Sequence, residues 1–229
     1  MQSPVIVTID GPAGVGKTTL AKRLAESLGI AYLDTGAMFR TIALKIGEAS
    51  AIDVDDNEMS SFCMGFHFSL KGKGQMTQLL CNGERIGNEI RSEKVAMLAS
   101  TIAKRPVIRD ILANAERALG AATSLVAEGR DMGTVIFPKA RFKFFLDATP
   151  EVRALRRMRD AESKDQPVDL ATLTAQIRAR DEQDRNRPVA PLRPAPDAIC
   201  IDTSDKDISE VLGLMLRHID ASGGSTLFA

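Results

Sequence analysis

The stretch Gly11-Pro12-Ala13-Gly14-Val15-Gly16-Lys17-Thr18 matches the pattern G-x-x-x-x-G-K-[ST]. Glycines at these spacings let several main-chain N–H groups turn toward one anion with no side chain in the way. An apolar run at 5–9 predicts a buried strand before the stretch, and residues 17–28 predict a helix after it. The start of a helix adds partial positive charge, so this strand, loop and helix predict a site for nucleotide phosphates.

Two residues at the end of this loop have individual roles in the prediction. Lys17 would bridge the β- and γ-phosphates, and the Thr18 hydroxyl would bind Mg²⁺. A glycine-rich turn that matches by chance is the alternative, and the flanking strand and helix argue against it. The predicted phosphate-binding set in this region is Gly11, Pro12, Ala13, Gly14, Val15, Gly16, Lys17, Thr18 and Thr19.

The composition is that of an ordinary globular protein with balanced charge. The chain has 229 residues, enough for one substantial core with a subdomain. Lysine plus arginine and aspartate plus glutamate each total 30, so the formal net charge is zero. This argues against broad binding to nucleic acids or anionic membranes, which needs a basic excess. Arginines are nevertheless concentrated at 153–159 and 178–193, which indicates positive charge directed at something small and anionic.

The cysteines and the apolar runs bear on the compartment. Cys63, Cys81 and Cys200 are odd in number and show no C-x-x-C spacing, so we expect neither a disulfide framework nor a zinc site. No apolar run approaches the roughly 18–20 residues of a membrane span. The first predicted strand begins too early to leave room for a signal peptide. We therefore expect a cytoplasmic protein that does not bind membranes.

Predicted strands alternate with predicted helices along much of the chain. Buried strands are predicted at 5–9, 30–34, 124–128, 142–147 and 198–202, with helical apolar patterns between and after them. This alternation predicts an α/β fold with a five-stranded parallel sheet and helices on both faces. Ligands of such sheets bind beyond the carboxyl ends of the strands. Polar residues that follow or end these strands are Asp10, Asp34, Glu128 and Asp147.

The region from about 51 to 90 breaks this alternation. Residues 66–70 alternate between apolar and polar, 71–74 predict a turn, and 76–81 could return as a strand. Asn82-Gly83 is a strong hairpin signal. We predict a small antiparallel insert, which either builds a substrate site or only adds stability. Two helices separated at Pro106 are predicted after it.

Charged residues near 128 and 180 are candidates for chemistry. Glu128 would end a strand and could hold Mg²⁺ through water, with Arg130 and Asp131 facing an acceptor; a capped turn is the alternative. Arg180, Asp184 and Arg187 share one helix face at i, i+4 and i+7. This face could stabilise a transferring phosphoryl group, or it could be a solvated ladder of salt bridges.

Four blocks of sequence together resemble one family. They are Asp-Gly-Pro-Ala-Gly-Val-Gly-Lys-Thr-Thr at 10–19, Leu-Asp-Thr-Gly-Ala-Met-Phe-Arg at 33–40, Gly-Arg-Asp-Met-Gly-Thr-Val-Ile-Phe-Pro at 129–138, and Arg-Asp-Glu-Gln-Asp-Arg-Asn-Arg at 180–187. With these blocks the chain resembles the bacterial cytidylate kinases, of the nucleoside monophosphate kinase group of P-loop proteins. The resemblance covers essentially the full length. It implies a P-loop kinase core with a small antiparallel β insert and a short helical lid.

The resemblance also implies an activity and a set of site residues. The activity is transfer of the γ-phosphate of ATP to CMP or dCMP, with Mg²⁺ held by Thr18 and Glu128. Lys17, Arg130 and Arg187 would be catalytic, and Arg153 and Arg157 would lie on the ATP side of the lid. Arg40, Arg130 and Arg187 would hold the acceptor phosphate and the transferring group, and Arg180 and Asp184 the sugar. The residues expected around the cytosine are Thr35, Ser100, Arg109 and Asp131.

The predicted organisation follows from this resemblance. The core is expected at 1–50, 121–152 and 188–221, the acceptor-binding insert and its helices at 51–120, and the lid at 153–187. Residues 160–169 could be a hinge, and 222–229 are expected to be disordered. The expected partners are ATP and CMP or dCMP, without nucleic acid, and the expected state is a monomer.

Departures from the family pattern leave some points open. Thr35 stands where many relatives have serine, Phe39 where they have tyrosine, and Glu128 where aspartate is commoner. Thr35 keeps a hydroxyl, but Phe39 lacks the phenol. The alternatives for function are a related kinase acting on UMP or on a non-nucleotide alcohol such as shikimate, or a GTPase-like switch. The chain has no N-K-x-D guanine motif, which argues against the switch.

Overall fold

Two β-sheets organise the computed structural model, which describes residues 3–162, 169–224 and 227–228. The strands are β1 (Ile6–Asp10), β2 (Ala31–Asp34), β3 (Phe68–Lys71), β4 (Gln78–Cys81), β5 (Glu84–Arg85), β6 (Leu125–Gly129), β7 (Phe142–Asp147) and β8 (Ile199–Asp202). A parallel sheet has the order β2-β6-β1-β7-β8, and a small antiparallel sheet has the order β3-β4-β5. The predicted α/β fold and its five parallel strands are confirmed, with six of the ten strand ends shifted by one residue.

The order of the parallel sheet brings distant parts of the chain together. β1 lies at the centre, between β6 and β7. Asp10 is opposite Gly129 on one side and Phe145 on the other, and Asp34 is opposite Glu128. Because all five strands run in one direction, their carboxyl ends meet at a single edge, as the sequence predicted.

Helices cover both faces of this sheet. They are α1 (Lys17–Leu28), α2 (Thr35–Glu48), α3 (Asp56–Cys63), α4 (Glu93–Ile102), α5 (Pro106–Ala122), α6 (Pro150–Glu162), α7 (Leu170–Asn186) and α8 (Ile208–Ala221). One apolar cluster joins the sheet to α2, α4 and α5, and a second joins it to α1 and α8. Pro106 is the first residue of α5, where its missing N–H costs nothing, so the predicted break is confirmed. The short α3 was not predicted.

The antiparallel insert covers an edge of the parallel sheet. Asn82 and Gly83 have φ of 53° and 82°, as the predicted hairpin turn requires. The Gly74 N–H donates to the Ile30 carbonyl over 2.7 Å, and the Tyr32 N–H donates to the Thr77 hydroxyl over 3.1 Å. The insert therefore satisfies main-chain groups beside β2 that an open edge strand would expose.

The last helices and the tail complete the fold. α6 and α7 pack against each other through Ala154, Leu173 and Ile177. Most of the predicted hinge at 160–169 lies outside the described residues. Leu227 and Phe228 are half-buried against the second cluster, and the Phe228 ring is 6.2 Å from that of Phe142. The disorder predicted for 222–229 therefore does not apply to these two residues, because both are apolar and cover the core.

Within the described part of the chain, no helix is long and apolar enough to cross a membrane.

Candidate active site

A cleft of about 670 Å³ opens at the carboxyl edge of the parallel sheet. Its walls come from the phosphate loop at 11–18, from α2 and α4, and from the segments around 130 and 184. The predicted site residues that line it are Ala13, Gly14, Lys17, Thr18, Thr35, Arg40, Ser100, Arg109, Glu128, Arg130, Asp131, Arg180, Asp184 and Arg187. The fold thus brings most of the predicted site together, although its members are spread over more than 170 residues of sequence.

The phosphate loop has the main-chain geometry that its glycines predict. Gly14 and Gly16 have φ of 84° and 88°, a region that side chains with a Cβ rarely adopt. A Cβ on Gly11 would lie 2.1 Å from the Leu146 carbonyl oxygen, so this position has room only for glycine. No described side chain caps α1 at Gly16. The first N–H groups of α1 are therefore available to an anion.

Lys17 is held inside the loop by main-chain oxygens. Its Nζ donates to the carbonyls of Gly11 and Pro12 over 2.8 and 2.7 Å. The pKa of Lys17 is lowered to about 7, chiefly by burial and then by the nearby Arg130, while Glu128 opposes the change. A phosphate beside the ammonium would favour its charged form, because opposite charges stabilise each other.

Oxygen donors suited to a cation lie at the end of β6. Glu128 is buried, and it accepts a hydrogen bond from the Tyr32 hydroxyl. The Thr35 hydroxyl donates to the Glu128 carbonyl over 2.8 Å. Burial raises the pKa of the Glu128 carboxyl, and the charge of Asp34 adds to this, so a cation here would be favoured.

This donor set fits Mg²⁺ bound together with phosphates. Among the described residues no group of three or more His, Cys, Asp or Glu side chains could hold a metal ion on its own. Mg²⁺ at nucleotide sites is usually held by one or two protein oxygens, phosphate oxygens and water. Thr18 and Glu128 both line the cleft beside Lys17 and can supply such oxygens.

Arginines on the opposite side of the cleft form ion pairs with carboxylates. Arg130 Nε lies 3.0 Å from Asp184 Oδ2, and Arg40 Nη2 lies 3.2 Å from Asp34 Oδ2. Arg109 pairs with Asp131 in a contact that is buried on both sides. Among the described residues, Arg180 has no carboxylate partner. We call this set of arginines and carboxylates the acceptor face.

Two donors on the acceptor face, Arg40 Nε and Arg187 Nη2, are buried and have no hydrogen-bond partner among the residues that the structure describes. Arg187 Nη2 lies 3.4 Å from Asp131 Oδ1, within ion-pair range, but the angle does not make a hydrogen bond. Buried donors are nearly always satisfied in folded proteins. Unsatisfied donors beside a cleft therefore indicate a ligand with acceptor oxygens.

An aromatic ring on α2 completes this wall. The Arg109 guanidinium lies 5.8 Å from the centre of the Phe39 ring, within the range of a cation–π contact. The ring contact therefore does not depend on the hydroxyl that Phe39 lacks.

Two buried carboxyls below the cleft were not among the predicted site residues. Asp10 accepts hydrogen bonds from the N–H groups of Met132 and Gly133 over 2.9 and 2.7 Å, and burial raises its pKa to about 6. Glu116 on α5 has its pKa raised to about 8, first by burial and then by the charge of Asp131. The signal for Glu116 was an acid within an apolar helical stripe that includes Leu112 and Leu119.

The structure does not bring Arg153 into the cleft. Its side chain is 1% exposed and lies behind the phosphate loop. It donates to the carbonyls of Ala148 and Ala13 over 2.9 and 3.1 Å and forms an ion pair with Asp181 of α7. The carboxylate neutralises this arginine, and its side chain is not part of the cleft lining.

Other predicted phosphate-binding residues also lie outside the cleft lining. Arg157 and Thr19 are exposed, on α6 and in the first turn of α1. Gly11, Pro12, Val15 and Gly16 do not line the cleft either; they shape the loop.

Known proteins share this sequence over nearly its whole length. The profile of the family described as cytidylate kinase matches residues 7–221. The chain belongs to the cytidylate kinase family. The resemblance predicted from the four sequence blocks is thereby confirmed.

Individual relatives agree with this membership of the cytidylate kinase family. A cytidylate kinase of Nitratidesulfovibrio vulgaris is 58% identical over 219 residues, which are 96% of this chain and 94% of the relative. A cytidylate kinase of Oleidesulfovibrio alaskensis is 56% identical over 219 residues, 96% of this chain and all of the relative. The solved structure of an uncharacterized protein from Eubacterium ventriosum, 14% identical, has a TM-score of 0.50 and covers 94% of this chain and 98% of its own. That last likeness concerns the fold alone.

Proposed function

We propose that the protein transfers the γ-phosphate of ATP to CMP or dCMP, forming ADP and CDP or dCDP. One observation supports this most directly. A single cleft has a phosphate-binding loop on one side and buried, unsatisfied arginine donors on the other. Two anionic substrates can meet there, and the relatives of this chain carry the name cytidylate kinase.

On the donor side, the loop and Lys17 hold the ATP phosphates. The N–H groups at the start of α1 contact phosphate oxygens, and Lys17 exchanges its carbonyl partners for the β- and γ-phosphates. Thr18 and Glu128 would hold Mg²⁺, Glu128 through water. When bound, Mg²⁺ supplies positive charge beside the phosphate oxygens during transfer. Arg153 acts through the loop by fixing the Ala13 carbonyl, and the exposed Arg157 closes on ATP from α6.

On the acceptor side, Arg40, Arg130 and Arg187 hold the acceptor phosphate and the group in flight. Arg40 Nε and Arg187 Nη2 have free hydrogens for this purpose. Arg180 and Asp184 contact the sugar. The cytosine and its surroundings are contacted by Thr35, Ser100, Arg109 and Asp131, all in the lining of the cleft.

The chemistry needs positioning and charge more than a strong base. The acceptor is a phosphate oxygen that is already ionised near neutral pH, so no residue must remove its proton. Arginine forks can stabilise the charge that spreads over the transferring phosphoryl group. Closure of α6 and α7 over both substrates would keep water from acting as the acceptor.

The test measures ADP release from Mg·ATP with CMP, dCMP, UMP, AMP or shikimate as the acceptor. We expect rapid release with CMP and dCMP, and release at least about tenfold slower with the others. A preference for UMP or for shikimate would contradict the proposal in favour of a related kinase. Slow GTP turnover that needs no acceptor would contradict it in favour of a switch.

We also propose that the protein works as a cytoplasmic monomer on small molecules, without nucleic acid or membrane. Its three cysteines are free and lie in different elements, which suits a reducing compartment. Light scattering on the purified protein tests the monomer, and a mass twice that of the chain would contradict it.

A further inference from the structure

Tyr32 is the one tyrosine of the sequence, which has no tryptophan. It lies in β2 with 6% of its surface exposed, and its hydroxyl donates to Oε1 of Glu128. The role proposed above for Glu128 does not use this contact.

The contact follows from the pairing of β2 with β6. Tyr32 is opposite Val126, so Glu128 lies two residues farther along the neighbouring strand. Side chains two residues apart point to the same face, and two residues span about 6.6 Å along a strand. A tyrosine hydroxyl reaches about that far from its Cα, so this register places the phenol beside the carboxylate.

The ring of Tyr32 is itself held in place. Its main-chain N–H donates to the Thr77 hydroxyl of the insert over 3.1 Å. The Lys22 ammonium lies 5.5 Å from the ring centre. The ring also packs in the apolar cluster beneath α1. The phenol therefore presents its hydroxyl to Glu128 from a nearly fixed position.

A fixed partner matters more for glutamate than for aspartate. Glutamate has one more rotatable bond, so its carboxylate has more orientations to lose when it is ordered. The Thr35 hydroxyl restrains the main chain of Glu128 over 2.8 Å, but it does not restrain the carboxylate. Tyr32 does so, because it engages one of the two carboxylate oxygens, and the Thr18 hydroxyl interacts with both Glu128 and Tyr32.

We propose that Tyr32 is a positioning residue that orients Glu128 for Mg²⁺ bound with ATP. This rests on the proposed function, in which Glu128 holds the metal. The effect is indirect, since the phenol contacts the Glu128 carboxylate and Tyr32 does not line the cleft. Hydrogen-bond partners behind metal-binding side chains commonly change metal affinity about 10- to 100-fold when removed.

The experiment compares ATP binding with Mg²⁺ and with EDTA by calorimetry, without an acceptor, so that no turnover is measured. In Tyr32→Phe we expect the gain in ATP affinity from Mg²⁺ to shrink about tenfold. Affinity for ATP in EDTA should not change. Thr41→Val is the matched control, since it removes a buried hydroxyl bonded to the Ala37 carbonyl, away from Glu128. It should keep the full effect of Mg²⁺.

Glu128→Gln separates the two ways in which the inference can fail. If Glu128→Gln reduces the Mg²⁺ effect and Tyr32→Phe does not, Tyr32 is only a packing residue and the inference is overturned. If Glu128→Gln has no influence either, the metal role of Glu128 fails as well. CMP-dependent ADP release by the unmodified protein is judged separately, by the acceptor panel.

Tyrosine emission gives a second measurement that needs no variant at Tyr32. A phenol bonded to a carboxylate fluoresces weakly, and this chain has no other tyrosine or tryptophan. We expect emission to change when Mg²⁺ is added to the ATP complex, and to stay constant when ATP is added in EDTA. Glu128→Asp, whose carboxylate is one methylene shorter, should raise the emission and abolish its response to Mg²⁺. An unchanged emission in Glu128→Asp would contradict the contact.

Discussion

The phosphate loop and the acceptor face collect positive charge in different ways. The loop is eight consecutive residues whose main-chain N–H groups and one lysine converge on a point. The acceptor face takes its side chains from α2, α5, α7 and the segment after β6. Lys17 rests on carbonyls, whereas Arg40, Arg109, Arg130 and Arg187 each lie beside a carboxylate.

This difference implies different consequences of mutation on the two sides. The loop has no carboxylate that an incoming phosphate must displace, so loss of its lysine should chiefly remove catalytic charge. On the acceptor face Arg40, Arg109, Arg130 and Arg187 already lie beside carboxylates, and these ion pairs keep buried side chains in place. Loss of a charged group on the acceptor face should therefore disturb the positions of neighbouring side chains and the selectivity for the acceptor, as well as the rate of phosphoryl transfer.

Lys17→Met gives the largest expected effect. It keeps the length of the side chain but removes the charge beside the γ-phosphate, and we expect kcat to fall by about three orders of magnitude or more. Steady-state kinetics with CMP and Mg·ATP measure this. Lys139→Met is the control, since Lys139 is an exposed lysine at the opposite edge of the sheet. If kcat falls less than tenfold in Lys17→Met, the charge that stabilises the transition state must come mainly from the acceptor face.

Arg187→Ala comes next. Its guanidinium has an unsatisfied Nη2 at the cleft, so we expect kcat to fall about 100-fold with little change in the KM for ATP. The matched control is Arg185→Ala, two residues earlier, where the side chain is half exposed and 3.6 Å from Asp147. A change confined to KM would refute a role for Arg187 in the transition state.

Asp131→Asn tests the balance of charge on the acceptor face. The variant leaves Arg109 and Arg187 buried without their shared carboxylate, and we expect the free energy of unfolding to fall by about 3 kcal/mol. An asparagine amide can also donate to uracil where a carboxylate cannot. The ratio of kcat/KM for CMP to that for UMP should therefore fall about tenfold.

Asp184→Asn is the comparison for that variant. It weakens a partly buried pair that we propose to lie near the sugar, so stability and the ratio of CMP to UMP use should change much less. If Asp131→Asn and Asp184→Asn change the ratio of CMP to UMP use equally, Asp131 does not contact the base.

Glu116→Gln gives the smallest expected effect on activity, and its effect on stability depends on pH. Burial raises the pKa of Glu116 from 4.5 to about 8, so between these values the folded protein keeps a proton that the unfolded chain releases. The free energy of unfolding of the unmodified protein therefore falls as pH rises through this window. Glutamine has no proton to lose, so its advantage should grow from near zero at pH 4.5 to roughly 10 °C in Tm above pH 8.

Thermal unfolding across this pH range provides the measurement. The raised pKa of Asp10 contributes in the same direction to both proteins and mostly cancels in their difference, although the charge of Asp10 is also one of the causes of the raised pKa of Glu116. Asp110→Asn, an exposed substitution on the same helix, should show no such trend. A Tm difference that is constant with pH would mean that Glu116 is not protonated in the folded state.

The sequence predicted well those features that depend on local residues. Glycines, a lysine and flanking periodicity were enough for the phosphate loop, and Asn82-Gly83 was enough for the hairpin. Strand positions followed from buried apolar runs, and the order of alternation predicted a parallel sheet. The joint location of the candidate residues followed from the rule that parallel strands end at one edge.

The ion-pair partners could not be predicted, because they depend on which distant elements meet. Arg130 and Asp184 are 54 positions apart, and nothing in their neighbourhoods indicates the pairing. The spacing of Arg153 and Arg157 was typical of a helix face, but α7 supplies Asp181 to the first of them and turns it away from the cleft. The π-helical turn Met132–Ile136 depends on hydrogen bonds to Asp10, which is 122 residues away from Met132.

The strand order also bears on how the protein is made. A nascent chain that has left the ribosome as far as residue 120 contains β1 and β2 of the parallel sheet, which are not neighbours. The carbonyl of Leu146 against Gly11 and the stem of Arg153 against Gly14 arrive later still. Although the phosphate loop is among the first segments translated, the residues that pack against it are absent until most of the chain has been synthesised. Prematurely terminated products should therefore be unable to bind ATP.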